Sequence, residues 1–147
     1  SFNDGYLLLL DIDNFKKVND QYGHYVGDLV TNHITSILRQ LKVEESMIAR
    51  WGGEEFLFMV PKATAQQCRN TCDAIIIACQ NQPFHFKGEQ IDITVSIGAT
   101  MFNQFNLDTH IRLLQRADQG LYNAKANGKK QYVFNHWSFF SIKVWTI

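Results

Sequence analysis

The sequence predicts an α/β (α+β) domain, with one mixed central β-sheet flanked by helices. Three observations lead there. Residues 6–10 (Tyr-Leu-Leu-Leu-Leu) are an unbroken apolar run, the mark of a strand covered on both faces. Apolar runs on either side of Gly52-Gly53 read as a tight β-hairpin with both glycines at positive φ. Between and after these strands lie three segments with helical apolar spacing, beginning near Leu29, Ala65 and Ile111.

Composition narrows the class. At 147 residues, with 46% hydrophobic and 13% aromatic content, the chain is one domain able to bury a sizeable core. Fourteen basic and fourteen acidic residues cancel. Bulk charge therefore points to neither nucleic acid nor an acidic membrane, and an anionic ligand has to be held by local geometry and metal. The apolar runs are too short to span a bilayer. Cys68, Cys72 and Cys79 share one helical stripe with Ile75 and Ile76, which reads as buried, reduced thiols rather than a zinc site.

The elements follow in order. The first strand ends in Asp11-Ile12-Asp13, and alternation points Asp11 and Asp13 to the same side. Carboxylates at the end of a buried strand are costly without a partner. Asp13 is expected to N-cap the next helix, and Asp11 to bind a metal. Residues 14–20 form a short helix with Phe15 and Val18 inward. Lys16 and Lys17 lie near its start, either facing an anion or simply solvated. A turn-rich connector over residues 19–28 leads to Asp28, expected to cap a helix whose inward face carries Leu29, Val30, Ile34, Ile37, Leu38 and Leu41.

The hairpin delivers Glu54 and Glu55 at the start of its returning strand, a pair of carboxylates that calls for a cation or a donor-rich ligand. Thr64 caps a helix over residues 65–81. Residues 91–98 alternate as a half-buried strand. Asp108 or Thr109 starts a last helix with Gly128 at its C′ position, and residues 131–134 form a short strand.

These blocks resemble the GGDEF domain of diguanylate cyclases. Gly52-Gly53-Glu54-Glu55-Phe56 is the GGEEF form of the signature, and residues 10–20 (LDIDNFKKVND) match the metal and phosphate segment. Tyr22-Gly23-His24 with Gly27-Asp28, Val95-Ser96-Ile97-Gly98, and residues 117–125 (ADQGLYNAK) match further blocks in the right order. The match assigns residues 1–135 to the domain and leaves 136–147 as an unmatched apolar tail. The resemblance implies condensation of two GTP into cyclic di-GMP with release of two pyrophosphates, in a fold related to nucleotidyl cyclases and polymerase palms. It implies Mg²⁺ or Mn²⁺ held by Asp11, the Ile12 carbonyl and Glu54, with Glu55 as second ligand or general base. It implies triphosphate contacts from Lys16, Lys125 and Lys129, and guanine recognition by Asn19 and Asp28 with His24 lining the pocket. A homodimer is implied too, since each domain holds one GTP, as are an upstream sensory domain and a cytoplasmic location, the full-length protein being soluble or membrane-anchored.

The departures shape the expectations. No upstream helix and DxLTGLxNRR-like block is present, so the chain reads as a fragment of a longer protein. Val43 and Ser46 stand where an inhibitory RxxD would be, so feedback at that place is not expected. Lys129 replaces an arginine common in the family, keeping the charge but losing the bidentate fork. The tail, with Trp137, Phe139, Phe140 and Trp145, is read as an added strand in preference to a partner-binding or non-native segment. A catalytically silent GTP-binding module is the competing function. A palm-type polymerase is disfavoured because no basic template groove is visible.

Overall fold

The computed structural model describes residues 5–102, 110–135 and 142–146. In chain order the elements are β1 (Gly5–Ile12), α1 (Phe15–Tyr22), α2 (His24–Gln40), β2 (Met47–Arg50), β3 (Glu55–Pro61), α3 (Ala65–Asn81), β4 (Phe84–Phe86), β5 (Glu89–Ile91), β6 (Val95–Phe102), α4 (His110–Ala126), β7 (Gln131–Asn135) and β8 (Ile142–Thr146). Six strands make one mixed sheet in the order β2-β3-β1-β6-β7-β8, and β4 and β5 pair apart from it. β1 is antiparallel to both β3 and β6, whereas β6 and β7 are parallel. Within the tail, Ile142–Thr146 forms the expected strand, antiparallel to β7.

The apolar run of β1 is unbroken because the sheet is covered twice. Tyr6, Leu8, Leu10 and Ile12 enter the larger core, with α1, α2 and α3. Leu7 and Leu9 enter a smaller one with Leu113, Ala117 and Leu121 of α4. Apolar burial on both faces leaves the carboxylates at the end of β1 as the polar groups this strand presents. α4 lies very close to the sheet. A Cβ on Gly98 would fall inside contact distance of the Ala117 carbonyl oxygen and the Leu121 amide nitrogen, both backbone atoms.

α3 begins at a full capping box: Gln67 N–H donates to the Thr64 hydroxyl (3.1 Å) and Thr64 N–H to the Gln67 side-chain oxygen (2.8 Å). Cys68, Cys72 and Cys79 are buried free thiols, as expected. Burial raises the Cys79 thiol to about 12 and Cys72 well above the ordinary value, so both stay protonated and inert.

Five expectations are corrected. Asp13 does not cap α1; the N-cap is Asn14, left-handed at φ 56 with no side-chain cap bond, because the Asp13 carboxylate is taken up inside the fold. Asp28 does not cap α2, which starts a turn earlier at His24, so Asp28 stands exposed within the helix. The turn-rich connector reduces to Gly23, at φ 90, between two helices. Neither glycine of the hairpin has positive φ, since the tip spans residues 51–54 instead of two residues. Finally, the strand expected over 91–98 breaks. Ile91 ends the small hairpin, and β6 starts at Val95 with nearly every residue buried, its polar Ser96 and Thr100 included. The expected caps Asp108 and Thr109 lie outside the described residues, while Gly128 is at φ 112 after α4, as expected.

Candidate active site

The site assembles at the end of β1. Asp11 lies opposite Glu55 across the β1–β3 ladder, and Ile12 N–H donates to the Glu54 carbonyl (3.1 Å). Strand register thus brings the DxD segment and the GGEE tip together, although they are far apart in sequence. The tip is held by Arg50, whose guanidinium donates to the Gly52 carbonyl (3.3 Å) and the Gly53 carbonyl (2.7 Å). Trp51 and Gly52 N–H both donate to the Glu55 carbonyl (2.8 and 3.3 Å). Sequence reasoning assigned Arg50 no role. A charged residue at the last strand position before a glycine turn was the available signal.

Lys125 reaches in from α4. Its ammonium donates to Asp13 Oδ1 at 2.8 Å and Asp11 Oδ1 at 3.1 Å. The expectation that both aspartates face one side is met, and Lys125 is found as their counter-ion. Lys129, in the turn after α4, donates to Asn14 Oδ1 at 2.6 Å. Lys16 is exposed in the first turn of α1, and His24 is exposed at the start of α2.

The electrostatics divide the acids into two kinds. Burial raises Asp11 above the usual aspartate range, partly offset by Lys125. Glu54 is raised by burial and then by the Asp11 charge. Glu55 is raised by burial, by Asp11 and by Asp118 of α4. Asp13 goes the other way. Burial alone would raise it, but hydrogen bonds from Lys125, Ser96 and Thr94 outweigh that and hold it low. Asp11, Glu54 and Glu55 are therefore acids whose negative charge is under-compensated in the folded protein. Carboxylate oxygens in that condition suit a hard divalent cation such as Mg²⁺ or Mn²⁺. Among the described residues, no three acidic, histidine or cysteine side chains already converge as a formed ion site.

Away from the acids, Asn19 of α1 packs over Gly27 of α2. Its Oδ1 is buried with no hydrogen-bond partner among the described residues. A buried orphan acceptor can take a donor from a ligand. Asp28, one residue past Gly27, is exposed on the same helix. A Cβ on Gly27 would collide with the Asn19 side-chain oxygen. We expect Gly27→Ala to leave melting nearly unchanged, since alanine favours the helix by about 1 kcal/mol and only a side chain must move. Ser46 is buried and spends its hydroxyl on the Val43 carbonyl (2.6 Å).

The chain matches the family described as "Diguanylate cyclase, GGDEF domain" over residues 2–131. It is 41% identical over 123 residues to diguanylate cyclase DgcP of Pseudomonas aeruginosa, covering 84% of this chain and 18% of that protein. It is 34% identical to diguanylate cyclase A of Treponema denticola, covering 85% of this chain and 33% of the relative. The chain thus spans a third or less of the length of these two relatives. Among solved structures it resembles diguanylate cyclase SiaD of Pseudomonas aeruginosa, crystallised with its activator SiaC. The TM-score is 0.85 at 31% identity, over 90% of this chain and 50% of that one.

Proposed function

Because the chain belongs to the GGDEF domain family of diguanylate cyclases, we propose that it condenses two GTP into cyclic di-GMP and two pyrophosphates, one GTP per domain of a homodimer. The observation that carries this reading is the meeting of Asp11 with Glu55 at the β1–β3 ladder, beside an anchored GGEE tip. Asp11, Glu54 and Glu55 would hold Mg²⁺ or Mn²⁺, with the Ile12 carbonyl as a further oxygen ligand. An ion held there would supply Lewis-acid polarisation of the attacking 3′-hydroxyl and the phosphoryl oxygens.

The chain's own residues do the remaining work. Asn19 and Asp28 read guanine, Asp28 accepting from N1–H and the 2-amino group together, a pattern adenine cannot supply. His24 lines that pocket. Lys125, bonded to Asp11 and Asp13, Lys129, bonded to Asn14, and Lys16, exposed in the first turn of α1, offer positive charge to the triphosphate. Glu54 and Glu55 are the two candidates for general base, and their raised affinity for protons suits either to receive one. In the described residues no helix is long and apolar enough to cross a membrane.

The test is direct. Dimeric protein given GTP and Mg²⁺ should yield one cyclic di-GMP for every two pyrophosphates. GTP-dependent thermal stabilisation without product would instead support the silent GTP-binding module.

A second expected result concerns pH. Folding raises the proton affinity of Asp11, Glu54 and Glu55, so their effect on stability is most favourable in acid. It is lost as pH climbs from the ordinary carboxylate range through their raised folded values. Without divalent ions, Glu55→Gln should therefore melt higher than the parent at neutral pH and the same near pH 4. Mg²⁺ should raise the melting temperature of the parent more at pH 8 than at pH 5, because protons compete for the same oxygens. Equal shifts at both pH values would count against these carboxylates as ligands.

A further inference from the structure

We propose that Asp13 is a positioning residue for the triphosphate contacts. It anchors Lys125 and the turn that carries Lys129, acting through them without touching nucleotide or metal. The proposal rests on the GTP-binding reading above and adds a residue that reading leaves unused.

Asp13 is 4% exposed, a charge placed almost wholly inside the protein. Its oxygens are fully engaged. Oδ1 accepts from Lys125 Nζ (2.8 Å) and Ser96 Oγ (2.7 Å). Oδ2 accepts from Thr94 Oγ1 (2.7 Å) and from Lys130 N–H (3.0 Å). A carboxylate has about four lone-pair sites, so nothing is left to ligate an ion. Asp11 differs, since Lys125 donates to it only at the longer 3.1 Å and its other side-chain hydrogen bond is shared with Glu55, itself an acid of the site. The two aspartates of the DxD segment thus divide the work: Asp11 is available to a cation, and Asp13 keeps Lys125 in place when a cation takes Asp11.

The second half of the anchor is the turn after α4. Lys129 N–H donates to the Ala124 carbonyl (2.9 Å) and Gly128 N–H to the Lys125 carbonyl (3.4 Å), closing the helix in a Schellman pattern. Lys129 and Lys130 then both adopt positive φ, 65 and 50, which is uncommon for consecutive non-glycine residues. The Lys130 N–H bond to buried Asp13 ties this unfavourable turn down. The turn in turn aims Lys129 Nζ at Asn14, beside the N-terminus of α1. One buried carboxylate therefore fixes two cations that come from the far end of the chain.

The experiment is Asp13→Asn, which keeps size but removes charge and leaves Lys130 N–H facing an amide. Dimeric protein with Mg²⁺ is titrated with GTP and, separately, with guanosine. GTP affinity should fall about tenfold, as for the loss of a charge-assisted bond, with guanosine affinity unchanged. In a Lys125→Met, Lys129→Met background the same substitution should change GTP affinity less than about twofold, because Asp13 acts only through those two cations. Equal losses for GTP and guanosine, or full additivity in that background, would overturn the proposal and leave Asp13 as a folding residue. If Asp13→Asn does not fold, Thr94→Val removes one of the four bonds and should show the same selectivity at smaller size. A readout independent of nucleotide is the Lys125 ammonium signal in ¹⁵N spectra, slow to exchange in the parent and lost in Asp13→Asn. Its persistence would overturn the anchoring. A folded parent that ignores GTP yet shows this loss would overturn only the GTP-binding reading.

Discussion

Asp11→Asn should abolish cyclic di-GMP synthesis, with kcat falling by about 10³-fold or more, while the protein stays folded. The magnitude follows from the role. Losing an ion that activates the nucleophile and offsets phosphoryl charge removes several kcal/mol of transition-state stabilisation, and about 4 kcal/mol is 10³ in rate. The prediction about folding follows from the electrostatics. Burial already makes the Asp11 charge unfavourable, and its partner Lys125 keeps the shorter bond to Asp13. Neutral asparagine is therefore tolerated at pH 7, and melting should shift by a few degrees at most. Product assay and thermal melting on one preparation check both halves. A variant that melts far below the parent would show Asp11 to be chiefly structural, and one that retains turnover would remove it from the ion site.

Gly98→Ala should have the opposite profile, a large loss of stability that takes activity with it. The added methyl meets the Ala117 carbonyl and the Leu121 amide of α4, and neither backbone atom can step aside without moving the helix. Gly120 makes the approach mutual, since a Cβ there would lie 3.0 Å from the Val133 carbonyl and 3.1 Å from the Gly98 Cα. Overpacking of this kind costs about 3 kcal/mol, or about 10 °C in melting temperature for a domain of this size. α4 also carries Lys125 and Asp118, so a displaced helix would pull the counter-ion from Asp11 and Asp13. Urea unfolding measures the first effect. Adding saturating GTP and Mg²⁺ tests the second, because a misplaced Lys125 should blunt the stabilisation they give. A Gly98→Ala variant as stable as the parent would show that α4 has room the present packing denies it.

Much of the site is legible in one dimension because its parts are local. The apolar run before Asp11, the period-two placement of Asp11 and Asp13, and the paired glutamates after a glycine turn are all short-range patterns. Each carries its physical reason within a few residues. The Thr64 cap and the cysteine stripe of α3 are equally local, and both stand as read. The errors share a cause as well. Asp13 and Asp28 look like helix caps because aspartate before an apolar helical run usually is one. Chain distance hides that Ser96, Thr94, Lys125 and Lys130 converge on Asp13. The two-residue hairpin failed for a similar reason: Arg50 and the Glu55 carbonyl organise a longer tip in which glycine needs no positive φ.

Sequence by itself determined the family, the mixed sheet flanked by helices, and the acids and lysines from which a GTP and metal site is proposed. These reside in residue type and short spacing. Tertiary structure alone decided how the charges are shared. It made Lys125 the counter-ion of both aspartates, took every lone pair of Asp13, and left Asp11, Glu54 and Glu55 under-compensated. The physical reason is that burial and charge pairing depend on distances between segments brought together by folding. Two aspartates one residue apart look alike on paper, yet differ once one is buried among four donors and the other faces the GGEE tip.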